Sequence, residues 1–334
     1  MTESHNDKIV FLTYLSRSGS TLLSNNLNQH PEICVTQEGE FPGELLGIKG
    51  YISPTFNEES ELAKYLDYVW SVSRVRNWKI EKQDVMLAID TYPTNGNQVF
   101  HLLLALNRKK HKPKSSVLIY KGVPAMPWEI ANIAGRYPKA LFINLIRDPR
   151  AIEYSQSNNK LPYENRAFSI SPLQTAYEWK KSIAGSYTSN DRVLNIKFED
   201  FIHHNEETIH RICYFLGLNS QFMSEDRLFS MEIPEEEQYL HKKVDQKPDA
   251  SRIDAWKESK KDIKWAYIER VCAQEMTLLG YELEVSSQLS TMSFLKEWVR
   301  YKALDSFYKV MGMIRRFLVS PAFYLKKIKL LLEK

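Results

Sequence analysis

The sequence is poor in cysteine: Cys34, Cys213 and Cys272 are its only three in 334 residues. An odd number at such wide spacing excludes a disulfide framework and predicts reduced structural thiols. Long apolar runs are also missing, so no membrane-crossing helix is expected. The opening residues MTESHNDK are polar, which speaks against a signal peptide or signal anchor. The expectation is a cytoplasmic protein. Repeats and low-complexity stretches are absent too. At 43% hydrophobic and 26% charged, 334 residues can bury one large core.

Apolar runs do occur at 8–15, 33–36, 115–120, 140–146 and 193–198, alternating with stretches of helical period. That alternation predicts an α/β fold, a mainly parallel sheet with helices on both faces. The first run is the most informative. In KIVFLTYLSRSGSTLLSNNL, the apolar Ile9–Leu12 stops at Ser16-Arg17-Ser18-Gly19-Ser20-Thr21, and a helical pattern starts at once with Leu22, Leu23, Asn26 and Leu27. A buried strand feeding a tight turn at a helix start makes an anion cradle, because the first helical N–H groups are unpaired and the helix dipole adds partial positive charge. Gly19 allows close backbone approach, Ser16, Ser18, Ser20 and Thr21 add hydroxyl donors, and Arg17 adds a fixed cation. These are the features of a phosphate-binding loop.

The loop lacks the marks of a nucleotide hydrolase. In G-x-x-x-x-G-K-[ST] a Lys reaches the outer phosphates and the next hydroxyl holds magnesium. Here Ser20 precedes Thr21, and the one cation, Arg17, lies ahead of the glycine. No acidic residue ends a second apolar strand as a magnesium partner would. A P-loop small-molecule kinase or another nucleotide-binding protein stays as the alternative class, and a membrane-held binding module without catalysis as a third.

Residues Ala140–Ser155 read ALFINLIRDPRAIEYS: another apolar run, ending in Arg147-Asp148-Pro149-Arg150 ahead of a short helical stretch bearing Ser155. Asp148 suits a helix N-cap and Pro149 the first turn, and Ser155, one helical step from Ala151, faces back toward the helix start. Arg147 at the carboxyl end of a strand, with the Ser155 hydroxyl, suits a clamp for a second phosphate.

Taken in order, SRSGST and, about 130 residues later, R-D-P-R-A-x-x-x-S over Arg147–Ser155 resemble the 5′-phosphosulfate and 3′-phosphate motifs of enzymes using 3′-phosphoadenosine 5′-phosphosulfate (PAPS), the sulfotransferase superfamily. Tyr120-Lys121-Gly122-Val123-Pro124, VLNIKFEDF…RICYFLGL from Val193 to Leu218, and KPDASRIDAW from Lys247 to Trp256 resemble later elements of its carbohydrate and tyrosylprotein branch, with Phe198 in place of the usual Tyr. The resemblance covers roughly residues 8–283. It implies a P-loop-type domain over 1–286, PAPS as co-substrate, the desulfated PAP as product, and no metal. It implies cofactor-binding roles for Ser16, Arg17, Ser18, Gly19, Ser20, Thr21, Arg147, Ser155, Lys247 and Arg252.

Sulfuryl transfer to an alcohol needs an acceptor relieved of its proton, in-line alignment, and stabilised charge on the departing phosphate oxygen. Arg17 is the candidate for that leaving-group charge. Counted from His30-Pro31, Glu38 matches the base of tyrosylprotein sulfotransferases, with Glu40 as its direct rival. Lys121 is a candidate for steadying the sulfuryl oxygens or the acceptor. His203, His204 and His210 have a metal-like spacing but fall on a polar-faced stretch far downstream, so no metal is expected. The acceptor is expected to be a carbohydrate or glycolipid, bound by the segments 39–58, 76–98 and 157–172. Tyr51, Phe56, Trp70, Trp78 and Tyr92 are candidate sugar platforms, or else core and surface residues of a helix over 58–78.

Charge gathers at the end. Residues 293–334 carry ten Lys and Arg against three acids, a net +7, interleaved with aromatic and aliphatic residues. The expectation is a basic helical tail over 287–334, with Pro321 between two pieces, lying on an anionic surface at the inner membrane face. The rest of the chain is not basic, which excludes a nucleic-acid partner.

Overall fold

The structure, a computed structural model, describes residues 7–39, 41–48, 53–122, 126–160, 167–187, 191–220, 250, 253–259, 263–284 and 289–319. Seven strands appear among them: β1 (Lys8–Tyr14), β2 (Ile33–Val35), β3 (Thr55–Phe56), β4 (Thr94–Asn95), β5 (Val117–Lys121), β6 (Leu141–Ile146) and β7 (Val193–Lys197). β3 and β4 form a small antiparallel pair; the other five make one parallel sheet in the order β2-β5-β1-β6-β7. Each of the five apolar runs is one strand of that sheet, as expected of an α/β chain.

The helices are α1 (Ser20–Leu27), α2 (Gly43–Leu46), α3 (Glu59–Val72), α4 (Lys82–Ala88), α5 (Gly96–His111), α6 (Ile130–Arg136), α7 (Pro149–Ser157), α8 (Pro172–Ser186), α9 (Phe198–His203), α10 (Asn205–Leu216), α11 (Lys264–Leu278) and α12 (Thr291–Val319). Local chemistry explains several boundaries. Asn95 and Gln98 form a reciprocal capping box on α5, Ser171 caps α8 ahead of Pro172, and Gly217 at φ 66° closes α10. One expectation needs correction: a single helix over 58–78 is interrupted. α3 ends at Val72, Ser73 is extended, its hydroxyl accepts from the Val75 N–H at 3.3 Å, and a separate 3₁₀ turn covers Val75–Trp78. Serine side chains that bond the nearby backbone compete with helix continuation in this way.

Both faces of the sheet are covered, which is why the strands read as continuous apolar runs. On one face Ile9 and Phe11 meet Phe100, Tyr120, Tyr137 and Phe142, and on the other Val10 and Leu12 meet Leu23 and Leu27 of α1 and Ile209 and Ile212 of α10. A third cluster joins α7, α8 and α11 around Trp179, Trp256 and Trp265. Within the sheet one polar row stands out. Thr13 donates to Asn144 Oδ1 at 3.0 Å, and Asn144 donates to Asn195 Oδ1 at 2.9 Å, in register across β1, β6 and β7. A one-residue slip of any of the three strands would strand buried amides, so the row fixes register.

β1 lies between β5 and β6, and all five strands deliver their carboxyl ends to one edge. In an open parallel sheet that edge, where connections diverge, is where ligands bind.

A candidate anion-binding active site at the strand ends

The turn after β1 is held open by backbone geometry. The Ser18 N–H donates to the Leu15 carbonyl at 3.1 Å, Arg17 adopts φ 72°, and Gly19 adopts φ 92° just before α1 begins. A positive φ at arginine is a strained setting, of the kind found where a loop is shaped for a ligand. No side chain caps α1. The Ser18 hydroxyl is covered and makes no hydrogen bond among the described residues. A buried donor left over beside open helical N–H groups is the chemistry an oxyanion satisfies. Only glycine fits at position 19: a Cβ there would lie 2.2 Å from the Phe198 ring.

A second cation joins this turn from β6. Arg147 follows the strand directly, and its Nη1 donates to the Arg17 carbonyl at 3.0 Å while the guanidinium lies 4.5 Å from the Phe198 ring centroid. Trp179 Nε1 fixes the Arg147 carbonyl at 2.8 Å. From α7, the Ser155 hydroxyl accepts from Arg17 Nε at 3.1 Å, and Gln156 Nε2 donates to the Ser16 carbonyl at 3.0 Å. The two motifs, about 130 residues apart in sequence, thus form one continuous surface carrying two guanidinium groups. Asp148 caps α7 by accepting from the Arg150 N–H at 2.7 Å, with Pro149 in the first turn. Arg150 turns away from this surface. It is buried between Asp148 and Glu269, 2.7 Å from each, with its guanidinium 4.0 Å from the Trp256 ring centroid.

The third part comes from β2 and β5. Lys121, the last residue of β5, is buried; its Nζ donates to Thr21 Oγ1 at 2.9 Å and lies 4.0 Å from Glu38 Oε2. The turn bearing Glu38 is pinned on both sides, since Trp78 Nε1 donates to the Gln37 carbonyl at 3.0 Å and the Tyr120 hydroxyl to the Gly39 carbonyl at 2.9 Å. Gly122, at φ 143°, passes so close that a Cβ would lie 2.1 Å from the Gly39 oxygen. Tyr14, the last residue of β1, adds a covered hydroxyl beside Ser20 and Glu38. Burial above all, and then the Glu38 carboxylate, push its phenol well up, so it stays neutral.

The structure therefore gathers Ser16–Thr21, Glu38, Lys121, Arg147 and Ser155 at one edge. Glu40, Lys247 and Arg252 lie outside the described residues, as do Val123, Pro124, Tyr51 and Pro321. Of the two readings of the aromatic residues, core placement holds for Phe56 and Trp78, which are buried, while Trp70 and Tyr92 pack half-buried against the same core. Phe56 and Trp78 are therefore not available to stack on a sugar. The expected acceptor segments 39–58 and 76–98 also contain regular structure, namely α2, β3, β4 and α4. His203 ends α9, His204 precedes α10 and His210 lies within it; among the described residues no three His, Cys, Asp or Glu side chains converge as a metal site would require.

Four contributors were not singled out from sequence as site residues: Phe198 under Arg147, Phe168 whose ring centroid lies 5.8 Å from the Arg17 guanidinium, Gln156, and Tyr14. Phe198 and Tyr14 did carry a signal, being the first residue after β7 and the last of β1. Phe168 and Gln156 carry none.

An α/β domain with a turn of this kind at the central strand and a second arginine on the neighbouring strand is built to hold anionic groups at the strand ends. The description of the sulfotransferase family matches residues 10–222, and the chain belongs to that family. The chain is 23% identical over 215 residues to protein-tyrosine sulfotransferase 1 of Danio rerio, a match covering 63% of this chain and 53% of that one. A putative protein-tyrosine sulfotransferase of Caenorhabditis briggsae is 21% identical over 291 residues, 85% of this chain and 92% of the relative. The chain spans about half the length of the vertebrate relatives it matches. Among solved structures, the sulfotransferase domain of the Synechococcus PCC 7002 olefin synthase shares the fold at a TM-score of 0.50 and 18% identity, over 84% of this chain and 96% of that one.

Proposed function

We propose that this protein transfers the sulfuryl group of PAPS to an acceptor hydroxyl on a carbohydrate or glycolipid. The observation that carries the cofactor reading is the joining of the two motifs: Arg17 donates to Ser155 while Arg147 donates to the Arg17 carbonyl, so both clamps act as one unit. The open N–H groups of α1 and the Ser16–Thr21 hydroxyls suit the 5′-phosphosulfate, and Arg147 with Ser155 the 3′-phosphate. The orphan Ser18 hydroxyl and the glycine-only position 19 fit that assignment.

In this reading the new acceptor oxygen–sulfur bond forms as the bond from sulfur to the 5′-phosphate oxygen breaks. The acceptor proton goes to Glu38 and the electron pair leaves with PAP, its growing charge stabilised by Arg17. Lys121, held between Thr21 and Glu38, is placed to steady both the transferring group and the base. A peptide tyrosine is the second reading, favoured by the names of the curated relatives.

PAP binding followed by calorimetry, with and without chelator, tests the cofactor. Arg147→Ala is expected to weaken it by about 2–5 kcal/mol, since a charged partner is lost from a buried position. Unchanged affinity would refute the assignment. Glu38→Gln should keep PAP binding and lower turnover by roughly 10²–10⁴. Labelled PAPS offered with glycolipid, polysaccharide and tyrosine-peptide acceptors separates the two readings by which one becomes labelled.

A further inference from the structure

α12 carries two opposite faces. Its first turns are tied to the domain: the Ser171 hydroxyl donates to Glu297 at 2.8 Å, the Tyr267 hydroxyl to the Ser293 carbonyl at 3.3 Å, Tyr177 stacks on Tyr301 at 5.9 Å, and Arg270 lies over Phe294. At 3.6 residues per turn, Phe294, Glu297, Tyr301 and Asp305 fall on one side of the helix. Leu295, Val299, Phe307, Val310, Met311 and Ile314 fall within an arc of about 160° on the other side. These six are exposed by 47–57%. The apolar stripe thus points away from the domain, and intramolecular packing of α12 has already used the opposite face.

We propose that this outward stripe docks on an anionic lipid surface. The charge of the helix selects the occupant: α12 carries six Lys and Arg against Glu297 and Asp305, a net +4, so a negatively charged bilayer complements it, whereas a second copy would bring like charge against it. The same arc holds Lys296 and Arg300, and Lys302 and Lys309 lie at its edge; large apolar side chains interleaved with cations in this way are those of a helix lying in a membrane interface. No helix among the described residues is long and apolar enough to cross a membrane, so docking would be lateral. The inference is independent of which acceptor the catalytic site takes.

Co-sedimentation of the full chain with phosphatidylglycerol/phosphatidylcholine vesicles, against pure phosphatidylcholine, tests it. The expected result is at least tenfold stronger partitioning to the anionic vesicles, falling several-fold when salt is raised from 50 to 500 mM. Phe307→Ser/Met311→Ser/Ile314→Ser should abolish it, and Lys296→Gln/Lys309→Gln should weaken it. Both sets should leave PAP binding unchanged, which checks that the domain is folded. Equal partitioning to neutral and anionic vesicles, or an unaffected triple variant, would overturn the proposal. So would sedimentation of the intact chain as a dimer that the triple variant converts to monomer, which would assign the stripe to self-association.

Discussion

Gly19→Ala should damage the loop by two routes that a double-mutant cycle separates. The first is backbone. At φ 92° and ψ 15° the residue sits in left-handed space, where an L-side chain costs about 1–2 kcal/mol. The second is contact. The new Cβ would meet the Phe198 ring at 2.2 Å, and the ring cannot yield freely: it is buried, and the Arg147 guanidinium lies on it at 4.5 Å. Overpacking of this kind costs about 1–3 kcal/mol, so the single variant should lose roughly 2–5 kcal/mol in all.

Phe198→Ala removes both ring atoms nearest Gly19, Cε2 and Cδ2, and with them the contact term but not the backbone one. In urea denaturation of the four proteins, the double variant should therefore be more stable than the sum of the two singles by about 1–3 kcal/mol. PAP affinity should fall in Gly19→Ala by more than tenfold, because the displaced ring carries Arg147 with it. Additive losses within about 0.5 kcal/mol would show that ring and loop are not coupled. Wild-type PAP affinity in Gly19→Ala would remove the loop from the cofactor site.

Two further outcomes follow from buried ionisable groups. Arg150→Met leaves Asp148 and the fully buried Glu269 without their shared partner, so urea unfolding should show a loss of about 3–5 kcal/mol, part of which Glu269→Gln restores; a loss below about 1 kcal/mol would contradict the pairing. Burial pushes the Cys34 thiol from 9.0 up to about 11, which stabilises the fold below pH 9 and is lost as pH rises through 11. Cys34→Ala should show a flatter stability curve than the wild type across that window, by about 2–3 kcal/mol at its end; superimposable pH curves would refute it.

The strands were legible because a parallel strand buried on both faces has nowhere to place a polar residue, and five such runs stand out from the helical stretches between them. Their order was not. β5 inserts between β1 and β2 although some eighty residues separate β2 from β5, and no local pattern encodes which neighbour a long crossover returns to. The break at Ser73 was hidden for a related reason: the apolar period continues through it, and only the competing serine hydroxyl marks the stop. Phe56 and Trp78 read equally well as binding platforms or as core, since periodicity gives a face and not what covers it. Packing against Tyr65 and Phe41 decides for the core.

That the loop and the two arginines would meet was legible because each is a local pattern, a glycine, hydroxyls and a cation at one strand end and an arginine at another. What escaped the sequence is the support beneath them. Phe198 closes the space above Gly19 and backs Arg147 at once, so one aromatic ring dictates both a glycine in the first motif and the pose of an arginine in the second. Nothing in either motif names that ring, because it reaches the edge from a third strand, β7. Parallel topology is what makes such a part available. Each strand ends at the same edge, so residues scattered over almost two hundred positions arrive within contact distance, and the site can be supported by elements that carry none of its chemistry.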